Sequence, residues 1–362
     1  MYIDGQSPEL VSVIIPAFNA ATNIRQTLDS VCAQTYQNFE VIIVDDGSSD
    51  DTTAIVEELV RQDSRFQLVR QENRGVGDAR NAGIRRARGK YIAPLDADDL
   101  WYPEKLERQV ARIQQCGNET GLVYCWSTFI DGNGDFVDKA RHLKVEGRLR
   151  HAFVMRNIVE NASIPLFRTN VFEKIGLYLT RNEQGGAQGC EDWDLALRIA
   201  EAFSIGVVPE RLVAYRLRRN SMSADSESMA ASFGTVIRRA HERNRDLPSD
   251  TFRWSRGHFY RYLADRCEYW GNYPRFFRYF KDAIIANPVL LLDAVIYITL
   301  FKSVSRLVAR SIGIHLAELA RETPERMGER VNLRYSKRRQ IVNVIFDHIE
   351  AKRWSAAVND QT

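Results

Sequence analysis

FEVIIVDDGSSD, residues 39–50, carries the reading of the fold. Phe39–Val44 is a nearly unbroken apolar run, which suits a parallel strand covered on both faces. Two acids and a glycine end it, and Ser48 and Ser49 are suited to cap a following helix, whose inner stripe is Ile55, Val56, Leu59 and Val60. The same order recurs upstream, where VSVIIP (Val11–Pro16) precedes a helical stripe of Ile24, Leu28, Val31 and Cys32. Downstream come FQLV (Phe66–Val69), a glycine-containing turn NRGVGDARNAG (residues 73–83) leading into a basic helix, and YIAPLD (Tyr91–Asp96). Strand–helix alternation of this kind predicts an α/β protein with an open, mostly parallel sheet and right-handed crossovers. Such sheets bind ligands outside the carboxyl ends of their strands. Asp45-Asp46 and Asp96-Ala97-Asp98-Asp99 fall at those ends.

Further along, Pro103 opens a helix to about Cys116, GLVYCWSTFI (Gly121–Ile130) reads as a strand, and DGNGD (Asp131–Asp135) as a hairpin turn. CEDWDLALRIA begins a helix near Glu191, and IGVVPE (Ile205–Glu210) is a short strand. After Ser223 the pattern is helical, which sets a boundary at 224 between a domain of residues 1–223 and a helical accessory region of 224–362. Aromatics between Trp254 and Lys281 are expected to pack inside a helical bundle. The stretch from Pro288 to Ile312 places Lys302, Arg306 and Arg310 on one helical face beside an apolar run, as a helix lying on a membrane surface would; an amphipathic helix packed on a core is the commoner alternative.

Of 362 residues, 44% are apolar and 27% charged, an ordinary globular composition that argues against disorder. From 224 to the end there are 23 Lys and Arg against 16 Asp and Glu; the rest has 27 against 31. A basic tail on a mildly acidic body suits an anionic contact, which leaves open a peripheral one with the inner face of a membrane. The small net charge and the lack of a recognition motif exclude nucleic acid as the partner. Five scattered cysteines without a CxxC pair suggest reduced thiols, and MYIDGQSPEL lacks the features of a signal peptide, so a cytoplasmic location is expected. Asn161-Ala162-Ser163 matches a glycosylation sequon and is read as chance.

Three carboxylates within four residues, Asp96, Asp98 and Asp99, repel one another unless a cation or donors offset them, and hard oxygens suit Mg²⁺ or Mn²⁺. An acid-rich helix start is the structural alternative. Asp45 and Asp46 suit either a base or ribose contact or a turn with a cap. Arg80 is placed either to reach a diphosphate or to join Arg85, Arg86 and Arg88 on a solvated helix. Glu191, Asp192 and Asp194 suit either a general base or an acidic first turn. Gly75, Gly77 and Gly83 form neither a dinucleotide fingerprint nor a phosphate loop.

VSVIIPAFN, EVIIVDDGSSDDT, ENRGVGDARNAG, YIAPLDADDLW and CEDWDLALR, in that order, resemble the motifs of family 2 glycosyltransferases over roughly residues 8–223. The resemblance implies the GT-A fold and an inverting transfer from a nucleotide-sugar donor, UDP favoured, to a glycan or lipid-linked acceptor in surface polysaccharide or glycoconjugate synthesis. It implies nucleotide-sugar contacts at Pro16, Ala17, Phe18, Asp45, Asp46, Arg80, Asp96 and Ala97. It further implies a Mn²⁺ or Mg²⁺ ligand at Asp98, a base at Asp192, and acceptor-side residues at Glu191 and Trp193. Where many relatives carry a histidine after a Tyr-Arg pair, this chain has YRLRRNSMS (Tyr215–Ser223); Arg218 there cannot ligate a metal but can neutralise a diphosphate. Two rivals are weighed. A nucleotidyltransferase lacks support because PAFNAATN after the first strand has neither glycine nor lysine. A non-catalytic nucleotide-sugar-binding scaffold would not be expected to keep Asp96, Asp98 and Asp192 together.

Overall fold

The computed structural model describes residues 8–139, 143–219, 221–311 and 344–359. Strands β1 (Val11–Ala17) and β2 (Phe39–Asp45) are buried at every position, as their apolar runs require. They pair in parallel from Val11 opposite Phe39 to Ala17 opposite Asp45, so both carboxyl ends finish at one level. Helices α1 (Ile24–Cys32), α2 (Thr52–Gln62) and α3 (Val76–Ile84) connect these strands to β3 (Phe66–Arg70) and β4 (Tyr91–Pro94). The four strands form the parallel part of the sheet in the order β3-β2-β1-β4. α1 buries Ile24, Leu28 and Val31, and α2 buries Val56 and Leu59, the faces the periodicity predicts.

The remaining elements are β5 (Leu100–Trp101), α4 (Lys105–Gln115), β6 (Thr120–Ile130), β7 (Phe136–Lys139), α5 (Arg150–Met155), β8 (Leu166–Arg168), α6 (Val171–Ile175), α7 (Glu191–Ala202) and β9 (Ser204–Arg216). They extend the sheet as β4-β8-β6-β9-β5, with β7 on β6. β8 is antiparallel to β4 and to β6, β5 is antiparallel to β9, and β6 and β9 are parallel. The sheet is therefore mixed.

Three local readings change. Ser48 and Ser49 do not cap α2: Ser48 Oγ and the Ser49 amide bond to Asn19, and the helix begins only at Thr52. β9 is longer than Ile205–Glu210, because the ladder skips from Val207 to Arg211 and the missing donor of Pro209 falls in that bulge. The glycine-containing turn at 73–83 is largely helix α3. Its glycines allow close approach: a Cβ on Gly77 would lie 2.2 Å from the Leu179 carbonyl oxygen, and one on Gly83 would lie 2.5 Å from Ile14 Cγ2.

The chain forms two compact units, one of residues up to Phe153 with Asn157–Asn244, the other of Val154–Arg156 with Arg245–Asp360. Helix α8 (Ser226–Arg243), which follows position 224, belongs to the first; its Phe233 stacks on Trp193 of α7 at 5.4 Å. In the second, α9 (Ser249–Tyr269) and α10 (Tyr273–Ala286) bury Trp254, Phe259, Phe276 and Tyr279, and Tyr260 stacks on Tyr279. Helices α11 (Ala294–Ser311) and α12 (Val344–Asn359) complete its described part. Among the described residues no helix is long and apolar enough to cross a membrane.

Helix propensity alone predicts that Gly77→Ala stabilises the protein by about 1 kcal/mol. The approach to Leu179 predicts the opposite sign, a loss of roughly 1–3 kcal/mol as the helix is forced off its neighbour. Urea unfolding of the variant decides between them, and a stability gain would show that α3 does not need this contact.

Candidate active site

The ends of β1 and β2 are joined by the Asp46 amide donating to the Ala17 carbonyl at 2.8 Å. Pro16 and Ala17 are buried, while Phe18 is 52% exposed and presents an aromatic face at this end of the sheet. The carboxylates here are committed to the backbone. Asp45 accepts from the Ser48 amide at 2.9 Å and from Thr53 Oγ1 at 2.5 Å, an Asx-type turn. Asp46 accepts from Gln71 Nε2, the Arg74 amide and the Gly75 amide at 2.7–2.9 Å, fixing the approach to α3.

Helix α3 then delivers Arg80. It is buried, and its fork spans two elements: Nη2 donates to Asp96 Oδ1 at 2.6 Å and Nη1 to Glu191 Oε1 at 2.8 Å. The Tyr178 ring lies 5.3 Å from the guanidinium carbon. Burial alone would make the Arg80 guanidinium easier to deprotonate, but the fields of Asp96 and Glu191 outweigh it and hold the proton more tightly than usual. Arg80 is thus not part of a solvated basic face. Its neighbour Asn81 exchanges two hydrogen bonds with the Tyr178 backbone, at 2.9 Å each.

Glu191 opens α7, and its second oxygen accepts from the Gly189 amide at 2.8 Å. Asp192 follows, half-buried, with Oδ1 accepting from the Trp193 amide at 2.7 Å. Burial, then the neighbouring Glu191 charge, pushes its carboxyl up to about 7. Trp193 does not face the site with them. It is buried against Phe233, and its indole N–H donates to the Phe153 carbonyl at 2.8 Å.

Residues 96–99, beyond β4, divide by environment. Asp96 and Asp98 keep about a quarter of their side-chain surface exposed. Burial and the Asp96 charge push the Asp98 carboxyl up to about 6. Arg218 Nη1 stands 3.4 Å from Asp98 Oδ2 and donates to Asn23 Oδ1 at 2.9 Å. The Ala97 carbonyl accepts from Thr27 Oγ1 at 3.0 Å. Asp99 turns inward, accepting from Ser163 Oγ at 2.6 Å and the Arg216 amide at 2.9 Å, and full burial raises its carboxyl well above the usual range. Among the described residues no three His, Cys, Asp or Glu side chains gather as a self-sufficient metal cage. Asp96 is already paired with Arg80 and Asp98 lies within reach of Arg218, and the partly exposed Asp98 carboxylate suits a cation that completes its shell from a ligand.

Two supporting residues escaped the sequence. Ser163, in the sequon dismissed as chance, is fully buried; it donates to Asp99, accepts from the Asp96 amide at 3.0 Å, and its carbonyl takes the Trp101 indole N–H. Arg216 is buried and donates to the Asp98 carbonyl, to the carbonyls of Asp131 and Gly132, and to Gln26 Oε1. In the sequence Ser163 stands out only as the sequon residue and Arg216 only as the arginine of the Tyr-Arg pair, and the strand that carries Arg216 reads as ending at Glu210.

A model of Glycosyl transferase family 2 matches residues 12–176. The chain is 45% identical over 230 residues to the putative teichuronic acid biosynthesis glycosyltransferase TuaG of Bacillus subtilis (strain 168), covering 63% of this chain and 87% of that one. The protein belongs to glycosyl transferase family 2. This family 2 chain spans 64%, 34% and 64% of the lengths of three uncharacterized Rickettsia glycosyltransferases that it matches at 30–32% identity. Its fold is similar to that of the 1–349 portion of S. aureus TarS, solved in complex with UDP, with a TM-score of 0.52 and 18% identity over 82% of this chain and 88% of that one. It is also similar to the mannosyltransferase PcManGT of Pyrobaculum calidifontis, solved in complex with GDP-Man and Mn²⁺, with a TM-score of 0.51 and 19% identity over 92% and 86%.

Removing Arg80 would leave Asp96 and Glu191 facing each other without a counter-charge. Arg80→Met should cost about 3–5 kcal/mol, the range for breaking one side of a buried pair. Urea denaturation measures it; a loss below about 1 kcal/mol would mean that solvent already screens the pair.

Proposed function

We propose that the protein transfers a sugar, with inversion, from a nucleoside-diphosphate donor to an acceptor hydroxyl. The observation that carries this reading is the Arg80 fork, which joins the segment after β4 to the start of α7 although Asp96 and Glu191 are far apart in sequence. On this reading the Asp96 side of the fork is the donor side, and Asp192, next to Glu191, is the base. Phe18 offers its exposed face to the base of the nucleotide, beside Pro16 and Ala17. Asp45 and Asp46 shape, through their carboxylates, the turn and loop that border it. Asp96 and Ala97 lie on the ribose side, and Arg218 faces the diphosphate.

Asp98 would hold Mn²⁺ or Mg²⁺, which when bound neutralises charge on the diphosphate. Arg218 adds a fixed positive charge to the same end. On the acceptor side, Glu191 is locked by Arg80 and Gly189 and so positions the helix start rather than moving a proton. Asp192 Oδ1 is held by the Trp193 amide, which leaves Oδ2 to accept the acceptor proton as the oxygen attacks the anomeric carbon. UDP is the favoured nucleotide; the fold relatives named above were solved with UDP in one case and GDP-Man in the other. A glycan or lipid-linked acceptor in surface polysaccharide synthesis is the class favoured by the likeness to TuaG.

The base must be ionised to work, and its carboxyl is pushed up to about 7. kcat/KM should therefore fall about tenfold per pH unit below pH 7 and level off above it. Asp192→Asn should lower kcat by roughly 10² or more with little change in donor affinity. A variant with full turnover, or a wild-type profile flat from pH 5 to pH 8, would remove Asp192 from the reaction.

Asp98→Ala should weaken Mn²⁺-dependent donor binding by about tenfold or more, read by thermal shift with UDP-sugars and GDP-sugars. Unchanged donor affinity with and without Mn²⁺ would overturn the metal assignment. A wild type that binds donor but neither hydrolyses nor transfers it would favour a non-catalytic binding protein.

A further inference from the structure

In the second unit, α11 is folded with its amphipathic pattern inverted. It buries Ile296 and Ser303, one heptad apart and so on one face. The opposite face exposes Tyr297, Ile298, Phe301 and Val304, with Phe301 at 74%. Spacings of three and four residues make these a continuous strip, and Leu291 and Leu292 of the preceding 3₁₀ turn expose further apolar surface. A helix on a water-facing unit normally turns its bulkiest apolar residues inward. A contiguous strip of this kind marks a contact surface.

The charge around the strip selects what covers it. Residues 294–311 contain Lys302, Arg306 and Arg310 and no acid, and residues 245–360 hold 20 Lys and Arg against 13 Asp and Glu. Arg306 is drawn onto Glu268 of α9, so it borders the strip rather than interrupting it. A second copy docked across a two-fold axis would set these cations against themselves. Anionic lipid headgroups would attract them, while the acyl boundary takes up the aromatic and branched side chains. The helix is not apolar enough to span a bilayer.

We propose that α11 lies in the plane of an anionic lipid surface, with Tyr297, Ile298, Phe301 and Val304 inserted and its cations at headgroup level. The inference is independent of the transfer reaction. The test is co-sedimentation of the full chain with phosphatidylcholine vesicles, with and without phosphatidylglycerol. Wild type should partition onto the anionic vesicles and lose binding in high salt or on neutral ones. I298D/F301D should bind the anionic vesicles about tenfold more weakly or worse, with an unchanged melting temperature, whereas Phe301→Leu should bind as wild type. The proposal is overturned if wild type stays in the supernatant with anionic vesicles at low salt, or if the double variant binds equally well. It is also overturned if the strip holds a dimer, seen as wild-type sedimentation at twice the mass that the double variant abolishes without any vesicle binding.

Discussion

Arg80 is the constraint on which the arrangement depends. A guanidinium removed from water is tolerated only when counter-charges surround it. Here they come from the end of β4 and the start of α7, so neither segment can move without stranding a charge. The arginine must also approach closely, and α3 allows that by carrying Gly77 against the Leu179 backbone and Gly83 against β1. Glycine weakens a helix interior, and the packing it permits is the offsetting gain.

A second layer of contacts holds this edge of the sheet in shape. Ser163 and the Arg216 amide take both oxygens of Asp99, and the Arg216 guanidinium takes the Asp98 carbonyl. Thr27 accommodates the carbonyls of Ala97 and Asp99. The backbone of this acid-rich loop is thereby fixed while Asp96 and Asp98 stay partly open. Asp46 does the same for the loop that enters α3. Carboxylates within a few residues of each other thus divide their work, some closing turns and others remaining available to a ligand.

The family and fold assignments fit this division, since ordered motifs at strand ends are what a GT-A sheet gathers at one edge. The second unit has a different logic. Its α9–α10 pair satisfies the aromatic-rich sequence by internal packing, whereas α11 leaves comparable residues outside.

By itself the sequence determined the parallel half of the sheet, because runs such as Val11–Pro16 and Phe39–Val44 have no other favourable burial, and their period places Asp45 and Asp96 at strand ends. It also marked Arg80, Asp96, Asp98, Glu191 and Asp192 as candidates, each with a structural alternative. Tertiary structure alone decided which of several plausible roles each side chain took. Asp99 finds Arg216 117 positions away and Arg80 finds Glu191 111 away, and no local pattern encodes such pairings. The same holds for Trp193, which periodicity leaves free to face either way and which Phe233 draws into the core. Hydrogen-bond partners and burial are properties of surroundings, and the surroundings exist only once the chain has folded.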